Sequence, residues 1–211
     1  MSIMITYFDI SNPTLIIKRS CNFLNTLERP QSFTLLKSIN LEEKKIFLMF
    51  NVGMILILVL GLIIGYLQFP NAINTDILLI KNYLVFMIGH SVMIIAHELI
   101  HGLFIKITSG FKVEYGFTLS YAYAGNKSAY FNRKSYIAIA LSPFIVLGIF
   151  FQMSLIFLPT TYFWLFYLLQ LFNLAGALGD FYVTYLTLKM PNDVLINDHG
   201  TKMNFYSEID A

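Results

Sequence analysis

Three side chains that together can bind a metal ion and activate water follow one another at helical spacing. His97, Glu98 and His101 form the pattern His-Glu-x-x-His. Because residues four apart share one face of a helix, the two imidazoles can bind the same ion, with the Glu98 carboxylate beside them as a base. The pattern predicts a zinc site with Glu98 as the catalytic residue. The alternative is a set of polar residues at a helix interface.

A catalytic zinc ion generally takes three protein ligands and a water, so one ligand is still needed. Asp180 is the candidate. His97 lies nine residues before Lys106, and Asp180 likewise lies nine residues before Lys189. At 1.5 Å per residue, each therefore lies about 13 Å along its helix from that lysine, so the two residues are at equal depth. Small neighbours of Asp180 should also let two helices approach closely: Ala175, Gly176 and Gly179. The alternative for Asp180 is a structural polar residue.

Two further polar residues fall on the same helices at the same spacing. His90 precedes His97 by seven residues, and Asn173 precedes Asp180 by seven residues. His90 is about 10 Å from His97 along the axis, too far to share its metal ion. We assign His90 and Asn173 as candidates for supporting the metal ligands or positioning substrate. The alternative for each is a hydrogen bond between helices.

The elements that carry these residues are predicted to be membrane helices. The chain has 211 residues, of which 57% are hydrophobic and 12% charged, whereas about a quarter are charged in soluble domains. Its mean hydropathy is +0.67. Since ionised side chains are costly in a bilayer, the gaps between them mark the spans: about 46–69, 82–106, 136–158 and 162–188. We expect an all-α polytopic protein of about four transmembrane helices.

Charge and cysteine content exclude other classes of protein and site. A net charge of +2 is too balanced for a nucleic-acid binder, which needs a basic face. The single cysteine, Cys21, cannot form an intrachain disulfide or a Cys-x-x-Cys zinc site. The start of the chain, residues 1–11, has no Lys or Arg before its apolar residues, unlike a cleaved secretory signal.

The Lys and Arg residues orient the predicted bundle, because basic loops stay in the cytoplasm. Most of them lie in residues 1–45 and in the connection after the second span, and Lys189 and Lys202 lie at the carboxyl end, whereas the connections at 70–80 and 159–161 contain none. We expect a cytoplasmic amino-terminal segment (1–45), a membrane-embedded domain that carries the zinc site (46–189) and a cytoplasmic tail (190–211). A helix at the membrane interface is expected within 33–45, with Asn40 as its cap.

The connection after the second span is predicted to be a membrane-associated β-hairpin, at about 112–131. Large and small residues alternate from Val113 to Ala124, which is typical of a strand. We expect a turn at 125–127 and a returning strand at 128–131. Such an edge could hold an extended peptide by main-chain hydrogen bonds. Equally, the hairpin could pack on the membrane surface through its tyrosines.

These motifs resemble a bacterial family of membrane proteins, the zincin peptidases. The resemblance rests on His97-Glu98-Leu99-Ile100-His101-Gly102 in a membrane helix, Asp180 in a later helix and Asp198-His199 in the tail, and it covers about 84–206. The arrangement is more distantly similar to site-2 proteases. They typically carry prolines and Leu-Asp-Gly where this chain has Leu-Ala-Gly-Ala-Leu-Gly between Asn173 and Asp180. The resemblance implies a peptidase of the bacterial cell membrane.

The sequence thus favours an intramembrane zinc endopeptidase that uses Glu98 as general base on membrane-anchored protein or peptide substrates within the lipid bilayer. One alternative is a non-proteolytic membrane partner that binds zinc. The other is a zinc hydrolase of a lipid or small amphiphile. An intact Glu98 favours catalysis, because a structural zinc site needs ligands but no base.

The charge distribution predicts that both ends of the chain lie on the cytoplasmic side. Reporter fusions after Ala211 and within the connection at Asn74 should therefore give opposite signals, cytoplasmic for the first and external for the second. The same signal from both fusions would show that the number of spans is wrong.

Overall fold

Helices long enough to cross a bilayer make up most of this computed structural model, which describes residues 28–69, 80–117, 122–200 and 202–208. The helices are α1 (Lys44–Gln68), α2 (Ile80–Ser109), α3 (Arg133–Phe157), α4 (Phe163–Gly176) and α5 (Leu178–Lys189). Four stretches are apolar enough to span a membrane: Lys44–Gln68, Tyr83–Ser109, Arg133–Phe157 and Thr160–Lys189. The predicted fold class, a helical protein with four such helices, is confirmed.

The fourth span is divided at Ala177, which the sequence analysis did not predict. Ala177 has φ −75° and ψ 1°, between the end of α4 and the start of α5. Its N–H still donates to the Asn173 carbonyl at 3.1 Å, and its carbonyl accepts from the Phe181 N–H at 2.9 Å. The helical hydrogen bonding therefore continues around the break. The division puts Asp180 in the first turn of α5, where the helix dipole favours a carboxylate.

A four-stranded antiparallel sheet joins distant parts of the chain. Its strands, in spatial order, are β1 (Phe33–Asn40), β6 (Lys202–Glu208), β5 (Leu195–Asp198) and β4 (Phe131–Asn132). These strands precede the first span, separate the second from the third, and follow the fourth. Because they are hydrogen-bonded to one another, the three segments lie on the same side of the four helices.

The prediction of a helix within 33–45 is wrong for most of that segment. Residues Phe33–Asn40 form β1, and α1 begins only at Lys44. The Asn40 side chain does not cap a helix there. Its Oδ1 accepts a hydrogen bond from the Glu42 N–H at 3.0 Å, in the turn between β1 and α1. The strand forms because β6, more than 160 residues later in the chain, pairs with it, and a local pattern does not reveal such a partner.

The predicted hairpin after the second span is present, but its strands pair earlier in the chain than expected. β2 (Glu114–Phe117) pairs with β3 (Ala122–Gly125), with Glu114 opposite Gly125. Apart from Gly125, which was predicted in the turn, both strands therefore lie within the stretch that was predicted as one strand. The expected returning strand, 128–131, does not belong to the hairpin. Phe131 and Asn132 form β4, which pairs with β5 in the larger sheet.

The main hydrophobic core joins the larger sheet to the nearby parts of α2, α3 and α5. Its fully or nearly fully buried members come from all of these elements: Ile105, Phe131, Ile139, Val183, Ile196 and Phe205. Burial of these side chains from water supplies the main favourable free energy for holding the sheet on the helices.

Glycines let α1 pack closely against α4. A Cβ atom at Gly61 would overlap the Leu171 side chain, and one at Gly65 would lie 2.6 Å from Cε1 of Tyr167. The Tyr167 hydroxyl donates a hydrogen bond to the Gly61 carbonyl at 2.6 Å. Small residues spaced four apart allow this kind of contact between membrane helices.

Gly176 and Gly179 do not have the role expected from the sequence. A Cβ atom at either position would meet no atom within 4 Å. These two glycines therefore do not create a close helix contact beside Asp180. Ala175, in contrast, is buried, with 3% of its surface exposed.

We predict opposite effects for two glycine substitutions. Gly61→Ala should lower the free energy of unfolding by about 1–3 kcal/mol, because its methyl group overpacks against Leu171. Gly176→Ala should leave the free energy of unfolding unchanged or raise it, because there is space for the methyl group and alanine favours helix. Thermal unfolding in detergent measures both variants. Equal losses would contradict the packing described for α1 and α4.

Candidate metal centre

His97, His101 and Asp180 meet between α2 and α5. The two imidazole rings lie one helical turn apart, with centroids separated by 4.9 Å and planes inclined at 77°. His97 Nε2 is 3.2 Å from Asp180 Oδ2, and His101 Nε2 is 3.5 Å from Asp180 Oδ1. The structure therefore brings together the three residues that the sequence analysis selected as metal ligands.

This group fits a zinc ion in both donor type and spacing. One ligand atom from each residue lies within 4.8 Å of the others. Tetrahedral bonds of 2.0–2.1 Å require ligand atoms roughly 3.3 Å apart, close to the two histidine–aspartate distances. Two imidazoles and a carboxylate are a donor set typical of catalytic zinc, with a fourth position open. Their side chains are 11–19% exposed, so the centre is enclosed but accessible.

A backbone carbonyl of α3 orients His101. His101 Nδ1 lies 2.9 Å from the Ile139 oxygen. Since a carbonyl only accepts hydrogen bonds, Nδ1 carries a proton and donates it, which leaves Nε2, on the Asp180 side of the ring, as the atom available to a metal ion. Such hydrogen bonds commonly hold metal-binding histidines in place. The sequence analysis missed this contact, because a backbone acceptor leaves no residue type to recognise.

Glu98 lies between α2 and the hairpin. The backbone N–H of Ala124 in β3 interacts with its carboxyl group. The other carboxyl oxygen, Oε2, is buried and has no hydrogen-bond partner among the described residues. A buried acceptor is normally paired with protein or water. The Glu98 carboxylate can therefore accept a hydrogen bond from a group that enters the centre.

Two glycines allow the hairpin to pack closely beside the metal centre. A Cβ atom at Gly102, directly after His101, would overlap the Tyr115 hydroxyl of β2. Gly200 adopts a φ of +82° in the turn between β5 and β6, and a Cβ atom there would lie 2.6 Å from Cδ2 of Tyr123 in β3. The hairpin is therefore held between α2 and the larger sheet.

Asp198 in β5 forms a buried hydrogen bond near the centre. The Tyr136 hydroxyl of α3 donates to Asp198 Oδ2 at 2.5 Å, and the Gly200 N–H donates to Oδ1 at 2.7 Å. Burial raises the pKa of Asp198 above its ordinary value, while these two hydrogen bonds and the nearby His101 oppose the shift. The pair joins the sheet to the start of α3.

The other sequence candidates do not join the metal ligands. The His90 ring lies against Phe86 and Phe172, with centroid distances of 5.9 and 4.7 Å, and its Nδ1 has no partner in the part of the chain that the structure describes. Asn173 is 1% exposed and donates from Nδ2 to the Phe144 carbonyl of α3 at 3.2 Å. Asn173 thus makes a hydrogen bond between helices, the alternative considered for it.

The geometry predicts about one zinc ion per chain. Asp180→Ala should lose most of this zinc, because it removes the carboxylate that faces both histidines. Asp193→Asn is the matched control, since in the described structure Asp193 accepts its hydrogen bonds from Ser207 and Glu208 in the tail. Elemental analysis of the purified proteins measures the zinc content. Full zinc content in Asp180→Ala would remove Asp180 from the ligand set.

Comparison with known proteins agrees with the chemistry of this centre. No curated protein and no solved structure matches the chain. A family model with the description "Putative zincin peptidase" matches residues 90–195, half of the chain. The matched region includes His97, Glu98, His101 and Asp180. Zincins are zinc-dependent peptidases that carry the His-Glu-x-x-His pattern. The chain therefore belongs to this zincin peptidase family.

Proposed function

We propose that the protein is an intramembrane zinc metallopeptidase that cleaves membrane-anchored proteins, with Glu98 as general base. The observation that carries this proposal is the meeting of His97, His101 and Asp180 beside a glutamate that has a buried, unpaired oxygen within the described part of the structure. A structural zinc site has four protein ligands as a rule and needs no base. A base placed next to them favours hydrolysis.

The roles of the side chains follow from their positions. His97, His101 and Asp180 would hold the ion, and zinc bound there supplies a Lewis acid that polarises the peptide carbonyl and makes water more acidic. Glu98 accepts the proton of the attacking water and passes it to the leaving amine. The Ile139 carbonyl keeps His101 in the tautomer that presents Nε2.

The position of the centre supports a substrate that reaches it within the bilayer. His97 and His101 lie inside the stretch Tyr83–Ser109, and Asp180 lies inside Thr160–Lys189, both of which are apolar enough to span a membrane. We place the centre nearer the cytoplasmic side, because Lys106 and Lys189 follow the ligands toward the basic segments.

The hairpin supports an extended substrate. A peptide in a helix has its carbonyls hydrogen-bonded, so it must unwind before attack, and its freed backbone groups then need partners in the bilayer. β2 and β3 form a sheet of two strands in the described structure, and β3 interacts with Glu98. We propose that the substrate pairs with an edge of this hairpin, which would present its carbonyl to the metal centre.

Glu98→Gln should abolish cleavage while zinc content and fold are retained. Glutamine keeps the size of the side chain but cannot accept a proton from water near neutral pH, so the rate should fall on the order of 100-fold to 10,000-fold. Glu42→Gln, an exposed glutamate before α1, is the matched control and should cleave normally. We would measure zinc content, thermal stability and cleavage of membrane-anchored proteins that co-purify with the Glu98→Gln variant.

The same variant separates catalysis from structure. Loss of zinc or of folding in Glu98→Gln would make Glu98 a structural residue. Cleavage at the normal rate would contradict the proposed mechanism.

A further inference from the structure

Pro143 interrupts the backbone hydrogen bonding of α3 near the metal centre. It lies inside the helix, and proline has no backbone N–H to donate to the carbonyl four residues earlier. That carbonyl belongs to Ile139. Inside an apolar span, a carbonyl without a donor is costly, so another group must take the place of the missing N–H.

Two side chains take that place. The Ile139 oxygen accepts a hydrogen bond from His101 Nδ1 at 2.9 Å and another from the Ser142 hydroxyl at 2.8 Å. Ser142 belongs to α3 itself, but His101 comes from α2 and is one of the three residues that face one another in the metal group. The interruption of α3 therefore provides the acceptor that orients a metal ligand.

An ordinary residue at position 143 would change this arrangement. A carbonyl oxygen has two lone pairs, and both are used by the donors described above. A backbone N–H at position 143 would be a third donor, fixed by the helix in the position where it normally bonds to Ile139. His101, which reaches the carbonyl from another helix, would then compete with a local hydrogen bond.

We infer that Pro143 is a positioning residue of the metal centre, because it keeps the Ile139 carbonyl available to hold His101. The inference rests on the metal site of the proposed function and does not depend on peptidase activity. It assigns to a proline, which contacts no metal, an effect on metal binding that is transmitted through one carbonyl.

Metal affinity of the purified, zinc-free protein tests this inference directly. Co²⁺ is the probe, because its visible absorption reports both binding and coordination geometry. Pro143→Ala restores the N–H and should weaken Co²⁺ binding by about 10-fold to 100-fold, the usual effect of losing a contact that supports a ligand. Pro159→Ala is the matched control. Pro159 precedes the short helix Thr160–Tyr162 at the opposite end of α3, so Co²⁺ affinity should not change.

A second variant distinguishes the missing N–H from the proline ring. Lactic acid incorporated at position 143 has the side chain of alanine but an ester oxygen in place of the N–H. It should bind Co²⁺ as the unmodified protein does, with the same absorption spectrum. Normal affinity in Pro143→Ala, or equal weakening in both variants, would overturn the inference.

The Co²⁺ measurements distinguish failure of the proposed function from failure of this inference. If the unmodified protein binds no Co²⁺ or zinc, the metal centre itself is wrong. If it binds the metal and Pro143→Ala binds equally well, only the role of Pro143 is wrong.

Discussion

A polar side chain inside an apolar helix is costly to leave without a partner, because the bilayer offers no water to replace one. In this protein the strictest case is Asp180, whose two carboxylate oxygens face His97 and His101 from another helix. That contact links α2 to α5, which the main hydrophobic core also joins. Two backbone features position these side chains. The break at Ala177 starts α5 just before Asp180, and the Ile139 carbonyl orients His101.

The β structure packs against the residues of the centre. β3 interacts with Glu98, and Tyr123 packs against the turn between β5 and β6. Asp198 ties the same turn to α3 through Tyr136. A protein that is mostly helical therefore relies on two small sheets to define the surroundings of its candidate base.

The sequence predicted the parts of this structure that depend on local composition. Gaps between charged residues located the four spans, and the spacing of His97 and His101 selected the ligands on α2. Equal depth in the membrane was enough to suggest Asp180. The larger sheet was missed, because β1 is defined by a partner strand at the other end of the chain. The pairing of the hairpin strands was placed too late in the chain, and the contact between His101 and Ile139 was missed, because neither depends on residue type alone.

Pairing of β1 with β6 also constrains how the molecule is made. Among the described elements β1 is synthesised first and β6 last, so β1 has no partner until translation has passed all the helices. Closing so long a loop is entropically costly and slow compared with forming a helix. The helices can form one by one as they emerge, whereas the sheet can assemble only after synthesis of β6. Assembly of the described fold therefore ends when the first and last strands pair on one side of the helices.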